Sequence, residues 1–86
     1  MSKRSKFLKK VLSGDSDKNI WFNKLCNLVI QLGFHEHPPG KHKRKFSMVG
    51  IEDLLNLQPL NDGKAKRYQV VQVRDIILKY KLGDNL

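Results

Sequence analysis

Three strand-like segments lie between residues 34 and 58, and links of only a few residues join them. The segments are 34–37 (FHEH), 42–48 (HKRKFSM) and 53–58 (DLLNLQ). Pro38-Pro39-Gly40 separates the first two, Val49-Gly50 begins the next turn, and Pro59 closes the third. Because a crossover between parallel strands needs about a dozen residues or more, the sheet is predicted to be antiparallel.

Alternation along these segments predicts which side chains share a face of the sheet. On the second strand, His42, Arg44 and Phe46 fall on one face, whereas Lys43, Lys45 and Ser47 fall on the other. On the third strand, Leu55 and Leu57 share a face opposite Asn56 and Gln58.

Helical repeats flank the strands on both sides. Residues 21–32 carry apolar side chains at helical spacing and are followed by Gly33, a typical helix terminator. Residues 68–82 carry the strongest repeat and are followed by Gly83. The apolar stripes are Phe22, Leu25, Leu28, Val29 and Leu32 in the first helix, and Val70, Val73, Ile76, Ile77 and Tyr80 in the last. The predicted fold class is α+β in the order α-β-β-β-α, with a three-stranded antiparallel sheet, two helices on one face, and the other face or its rim free to meet a partner.

The chain has 86 residues, which predicts one small domain. We place a basic N-terminal arm at residues 1–19 and the domain at residues 20–86. Within the arm, Phe7, Leu8, Val11 and Leu12 have the spacing of one face of a short helix. The lysines of the arm fit a solvated tail and a nucleic-acid-binding arm equally well.

Charge constrains the partners of this chain more than its fold. The formal net charge is +9, from 17 Lys+Arg against 8 Asp+Glu. Nucleic acid is the first expected partner, because neutralising phosphates releases counterions; an anionic membrane surface or an acidic protein is the second. With no signal peptide and no apolar run long enough to span a membrane, we expect a cytoplasmic protein. The single cysteine, Cys26, lies among apolar residues and is expected to be a small buried hydrophobe.

Common catalytic and metal-binding motifs are missing from the sequence. There is no glycine-rich phosphate loop and no serine or cysteine nucleophile in a recognisable setting. His35 and His37 would point the same way on a strand, but no cysteine or carboxylate convincingly completes a ligand set. We therefore expect no metal and no small-molecule cofactor.

His42 stands inside a run of four cations, Lys41, Lys43, Arg44 and Lys45. These cations can hold a phosphate, and they disfavour protonation of the imidazole. A neutral histidine beside a phosphodiester can act as a general base on a ribose 2′-hydroxyl, whose oxygen then attacks the adjacent phosphorus. The lysines would stabilise the negative charge of the transition state. The alternative, on spacing alone, is a solvated basic strand in which His42 has no special role.

Three stretches of the chain resemble the HicA-type toxins, the small mRNA-cleaving members of type II toxin–antitoxin pairs. They are "VLSGDSDKNIWFNKLCNLVIQLGF", "GIEDLLNLQP" and "GKAKRYQVVQVRDIILKYKL", and they cover nearly everything after the basic arm. The order "NLQP", "KAK" and "YQV.QVR..I" is the most specific part of the likeness. The chain looks like a branch with an N-terminal extension, and the resemblance implies a fold like that of double-stranded-RNA-binding domains.

The resemblance also implies a metal-independent endoribonuclease whose essential side chain is a histidine in a Gly-Ser-His motif on the second strand. The nearest match is Gly40-Lys41-His42, which makes His42 the general base. Lys41 replaces the serine, and the spacing to "GIE" is one residue longer than usual. If the strands align without a gap from Gly50 backward, Lys43 takes the histidine position. Because an unperturbed lysine has a pKa of roughly 10.4, it is a poor base, and cleavage would then be weakened or lost.

RNA and an antitoxin are the partners that follow from this reading. RNA, and mRNA in particular, would be bound at Lys41, Lys43, Arg44 and Lys45, with Lys64, Lys66 and Arg67 as an outer ring. A HicB-like antitoxin would hide the histidine, and a basic surface suits an acidic partner as well as RNA. Two alternatives stay open: a non-catalytic module of the same fold that binds double-stranded RNA, and a nuclear-import signal in "KHKRK".

Overall fold

The structure, a computed structural model, describes residues 3–38 and 43–85. Three α-helices and three β-strands follow in the order α1-α2-β1-β2-β3-α3, with short 3₁₀ turns at Asp17–Asn19 and Leu82–Asn85. The helices are α1 (Lys3–Ser13), α2 (Phe22–Gln31) and α3 (Arg67–Tyr80), and the strands are β1 (His35–His37), β2 (Arg44–Met48) and β3 (Ile51–Leu57). From α2 onward the predicted α-β-β-β-α order and the α+β class are confirmed.

The strands form one antiparallel sheet in the order β1-β2-β3, as the short links require. Phe46 lies between Glu36 on β1 and Leu55 on β3. The register shifts between the pairs Phe46–Leu55 and Met48–Ile51. One residue of β2 lies between these pairs, whereas three residues of β3 do. Because β3 gains two residues there rather than one, its side chains keep alternating on the same faces.

One face of the sheet is covered by helices and the other is open. The buried side chains of α1, α2 and α3 form one hydrophobic cluster with Phe46, Leu55 and Leu57 of the sheet. The exposed side chains of the opposite face are His35, His37, Lys45, Glu52, Leu54 and Asn56. Both predicted helical stripes, and the predicted faces of β2 and β3 over the described residues, are confirmed.

β3 begins earlier than predicted. Val49 and Gly50 alone make the turn, so the strand starts at Ile51 rather than at residue 53. Glutamate is depleted in strands. Glu52, however, lies on the open face, where a charged side chain stays in water and is compatible with a strand.

α3 ends before the predicted terminator. Lys81 adopts the left-handed conformation (φ 55°, ψ 40°) and donates its backbone N–H to the carbonyl of Ile77. Gly83 instead lies against Leu8, where an added Cβ would come within 3.0 Å of a Leu8 methyl carbon. No helix within residues 3–38 and 43–85, α3 included, is long and apolar enough to cross a membrane.

α1 lies in the basic arm, yet it contributes to the core. Leu8 and Val11 are buried in the same cluster as α2 and α3. An Arg74 guanidinium nitrogen (NH1) of α3 donates to the Val11 carbonyl at 3.2 Å and to Asp17 Oδ1 at 2.9 Å. Gly14 has φ +77°, and a Cβ there would lie 3.2 Å from that nitrogen. The core therefore extends across the boundary that we placed after residue 19.

Candidate nucleic-acid interface

The predicted catalytic segment leads into β2. Lys41 and His42 lie outside the residues that the structure describes, so the described site begins at Lys43. Lys43 and Lys45 are exposed. Lys45 lies on the open face, opposite His37 of β1 on one side and Asn56 of β3 on the other. The central strand thus presents a cation between two side chains that can form hydrogen bonds.

The open face beside Lys45 also carries a second histidine and a serine. His35 lies opposite Ser47, and His37 Nε2 is 2.5 Å from Ser47 Oγ. In the described part of the chain, no group of three or more side chains could hold a metal ion. Hydrogen-bonding groups around a cation suit contacts to a phosphodiester backbone.

Arg44 faces the helices, away from Lys43 and Lys45. Its Nε and one terminal nitrogen donate to the two carboxylate oxygens of Glu36 at 2.7 and 2.6 Å. The guanidinium carbon also lies 5.6 Å from the centroid of the Phe46 ring. A phosphate would have to compete with a bidentate carboxylate for this side chain. The structure therefore does not bring Arg44 together with the exposed Lys43 and Lys45.

The Glu36–Arg44 pair is expected to make stability depend on pH. Hydrogen bonds from Arg44 hold the pKa of Glu36 below its ordinary value of 4.5. The unfolded chain then binds the proton more readily than the folded chain. The pair therefore stabilises the fold at pH values above the ordinary pKa of Glu36, and this effect is lost as the pH falls through the lowered pKa. We expect the difference in free energy of unfolding between the wild type and Glu36→Gln to shrink between about pH 6 and pH 3, measured by urea denaturation.

The control for this measurement is Glu52→Gln, which alters an exposed glutamate on the open face. It should change stability little at either pH. A wild-type advantage over Glu36→Gln that stays constant across the range would contradict the role of the ionised pair.

Cys26 lies behind this pair on α2. It is fully buried, and burial raises the pKa of its thiol to about 11, with Arg44 opposing the shift. The thiol is therefore protonated at neutral pH. Its predicted role as a small buried hydrophobe is confirmed.

The second basic cluster meets the first where β3 ends. Lys66 Nζ donates to Gln58 Oε1 at 3.0 Å. Gln58 follows Leu57, which pairs with Arg44 at the start of β2. Four residues, Lys43, Lys45, Gln58 and Lys66, therefore line one end of the sheet, and we call them the basic edge. Arg67 is not part of the basic edge, because its side chain borders a shallow hollow together with Asp15, Asp17 and Lys18.

Gln69 fixes α3 against the free edge of β3. Its side-chain nitrogen donates to the Asn56 carbonyl at 2.9 Å, and its side-chain oxygen accepts from the Gln58 N–H at 2.9 Å. The amide thus satisfies the edge groups of β3 as a neighbouring strand would. Because Gln69 is buried, these bonds are shielded from water, and they set the position of Lys66 relative to β3.

Sequence reasoning missed Trp21. It forms an isolated β-bridge with Lys64, whose Nζ lies 5.7 Å from the centroid of the indole ring. Lys64 Nζ also donates to Asn19 Oδ1 at 3.2 Å. Helical periodicity identifies core positions, and Trp21 falls outside the apolar stripe of α2. The signal was an aromatic residue off that stripe and close to lysines.

The phosphate-binding roles of the cations and the catalytic role of His42 stay predictions at this point. Comparison of the chain with protein-family models, with curated proteins and with solved structures found no match. The functional argument therefore depends on the residues and the surface described above.

Proposed function

We propose that this protein is a metal-independent endoribonuclease that uses His42 as its general base. The observation that carries the proposal is the basic edge, where Lys43, Lys45 and Lys66 lie at one end of the sheet beside its open face. Gly40, Lys41 and His42 immediately precede Lys43 in the chain. The proposed base, His42, is therefore the residue directly before Lys43, the first cation of the basic edge.

The proposed reaction is transesterification within the RNA strand. His42 takes the proton of a 2′-hydroxyl, the 2′-oxygen bonds to the adjacent phosphorus, and the bond to the 5′-oxygen breaks. The products are a 2′,3′-cyclic phosphate and a 5′-hydroxyl, whose proton comes from solvent. Lys43 and Lys45 offset the charge that builds up on the phosphoryl oxygens.

We propose that this activity belongs to a toxin that acts on mRNA in the cytoplasm of the cell. The likeness of three stretches of the chain to HicA-type toxins supports this assignment, as does the basic surface. An acidic, HicB-like antitoxin would then be the protein partner, binding over the basic edge and His42. Charge complementarity would speed its association and help to exclude RNA.

The second candidate is a non-catalytic RNA-binding module. It is favoured by the position of Lys43, which enters β2 directly and takes the histidine position in the ungapped alignment. The exposed lysines could bind RNA phosphates without any cleavage.

Incubation of the protein with end-labelled RNA in EDTA tests both candidates. We expect fragments that end in cyclic phosphate, and binding that weakens about 20- to 50-fold between 50 and 200 mM salt if three or four phosphates are contacted. A salt-sensitive gel shift without fragments would favour the binding module. If the gel shows no fragments and no shift, both functions are contradicted.

A further inference from the structure

Isolated β-bridges join three short segments of the chain beside the basic edge. Residues 59–65 fold back on themselves, so that Pro59 pairs with Ala65 and the Leu60 N–H donates to the Lys64 carbonyl at 2.7 Å. The chain before α2 adds the third segment, because Trp21 pairs with Lys64 from the other side.

The two sides of these bridged segments differ in burial. Ile20 and Ala65 point inward and are buried. The alternate residues point outward, which puts Leu60, Lys64 and Trp21 in one row on the surface. We call this row the Trp21 patch. Leu60 is 46% exposed and Trp21 is 48% exposed, so the patch offers apolar surface on both sides of a lysine.

Gly63 and Lys64 contact part of the Trp21 ring. Gly63, with φ +86°, lies against the six-membered ring, and a Cβ there would be 3.7 Å from Cζ3. Lys64 contacts the ring as described, and its hydrogen bond to Asn19 fixes the ammonium group. These contacts restrict the indole before any ligand arrives, which lowers the entropic cost of binding on its exposed part.

The surroundings of the patch are basic. Lys18 and Lys24 are exposed beside Trp21 in sequence, and Lys24 lies one turn further along α2. Asp62 is the acidic residue in the turn, where its Oδ1 accepts the Lys64 backbone N–H at 3.0 Å. A ligand with a flat apolar group and a negative charge fits this combination, and a nucleotide has both.

We propose that Trp21 is a stacking platform for an unpaired base of the bound RNA and that Lys64 contacts the neighbouring phosphate. The inference rests on the proposed function and specifies its substrate as single-stranded RNA, since a base within a duplex cannot stack on a side chain. Lys64 is two residues from Lys66, which is bound to Gln58 at the basic edge. A strand held at the basic edge can therefore continue onto the Trp21 patch.

Trp21 is the single tryptophan of the chain, so its fluorescence tests the proposal directly. The ligand is an unstructured 2′-O-methyl oligoribonucleotide, which lacks the attacking hydroxyl and cannot be cleaved. We expect saturable quenching by this strand, and none by an abasic strand of equal length or by a duplex of the same sequence. Quenching by the abasic strand would show a charge effect and would overturn the stacking assignment.

Affinity measurements on variants provide the second test. Trp21→Ala should weaken binding of the single strand about fivefold to a hundredfold, and Trp21→Phe should weaken it less. Leu78→Ala is the matched control, because it removes a similarly exposed apolar side chain near the C-terminal end of α3. The affinity of this variant for the single strand should match that of the wild type. Circular dichroism checks that each variant is folded.

The outcomes separate this inference from the proposed function. If RNA binding is salt-sensitive but causes no quenching, and if Trp21→Ala binds RNA as the wild type does, the stacking platform is overturned and the proposed function is not. Failure of the wild type to bind any RNA would overturn both. Quenching by polyglutamate but not by RNA would assign the patch to an acidic protein partner and would overturn the inference.

Discussion

His42→Ala is expected to lower the rate of RNA cleavage by about 10²- to 10⁴-fold, with the fold and the affinity for RNA unchanged. The reason is that alanine removes the proposed proton acceptor while the lysines that hold the phosphates stay. Single-turnover cleavage of labelled RNA measures the rate, and filter binding measures the affinity. Growth arrest on expression of the protein should disappear with the same substitution.

Lys43→Ala is the control that separates the two alignments of the catalytic segment. If His42 is the base, Lys43→Ala should weaken RNA binding and lower the slope of log affinity against log salt concentration by roughly 0.7. At saturating enzyme it should lower the cleavage rate far less than His42→Ala does, because the proton acceptor and Lys45 remain. Added imidazole should partly restore cleavage to His42→Ala, because the small molecule can take the place of the missing base. Full activity of His42→Ala would sink the assignment of the base.

Gln69→Leu is expected to lower the free energy of unfolding by about 2–5 kcal/mol, because it removes the two hydrogen bonds to the backbone and leaves two backbone groups at the end of β3 without partners. The affected groups are the Asn56 carbonyl and the Gln58 N–H. For a domain of this size the loss is a large share of the total stability. Urea denaturation followed by circular dichroism measures it.

Gln72→Leu is the matched control, since it makes the same change on the same helix at a partly exposed glutamine. It should alter stability by less than about 0.5 kcal/mol. Gln69→Glu gives a second check, because a carboxylate can accept from the Gln58 N–H but cannot donate to the Asn56 carbonyl. Equal stability of Gln69→Leu and Gln72→Leu would show that the amide does not stabilise the junction of α3 and β3.

Local periodicity was sufficient for the architecture. The spacing of Leu25, Val29, Val73 and Ile77 predicts two helices with one buried side each, and alternation around Phe46 predicts the faces of β2. These signals depend on residues within one or two turns of each other, so a single sequence contains them. The short links then leave only an antiparallel sheet.

Which polar and aromatic side chains remain available to a ligand depends on how the chain packs. Arg44 reads as one cation among four, yet the register of β1 against β2 places Glu36 within bonding distance of it. Gln69 is polar, yet it can be buried because the Asn56 carbonyl and the Gln58 N–H at the edge of β3 bond its amide.

The same reason applies to the exposed tryptophan and the basic arm. Trp21 gains its lysine from a segment far away in the chain, and α1 joins the core through α3. The positions of helices and strands follow from the sequence alone, because those preferences are local. The sequence alone could not determine which side chains meet, because pairing depends on register and on contacts between residues distant in sequence, and these are set only when the whole chain packs.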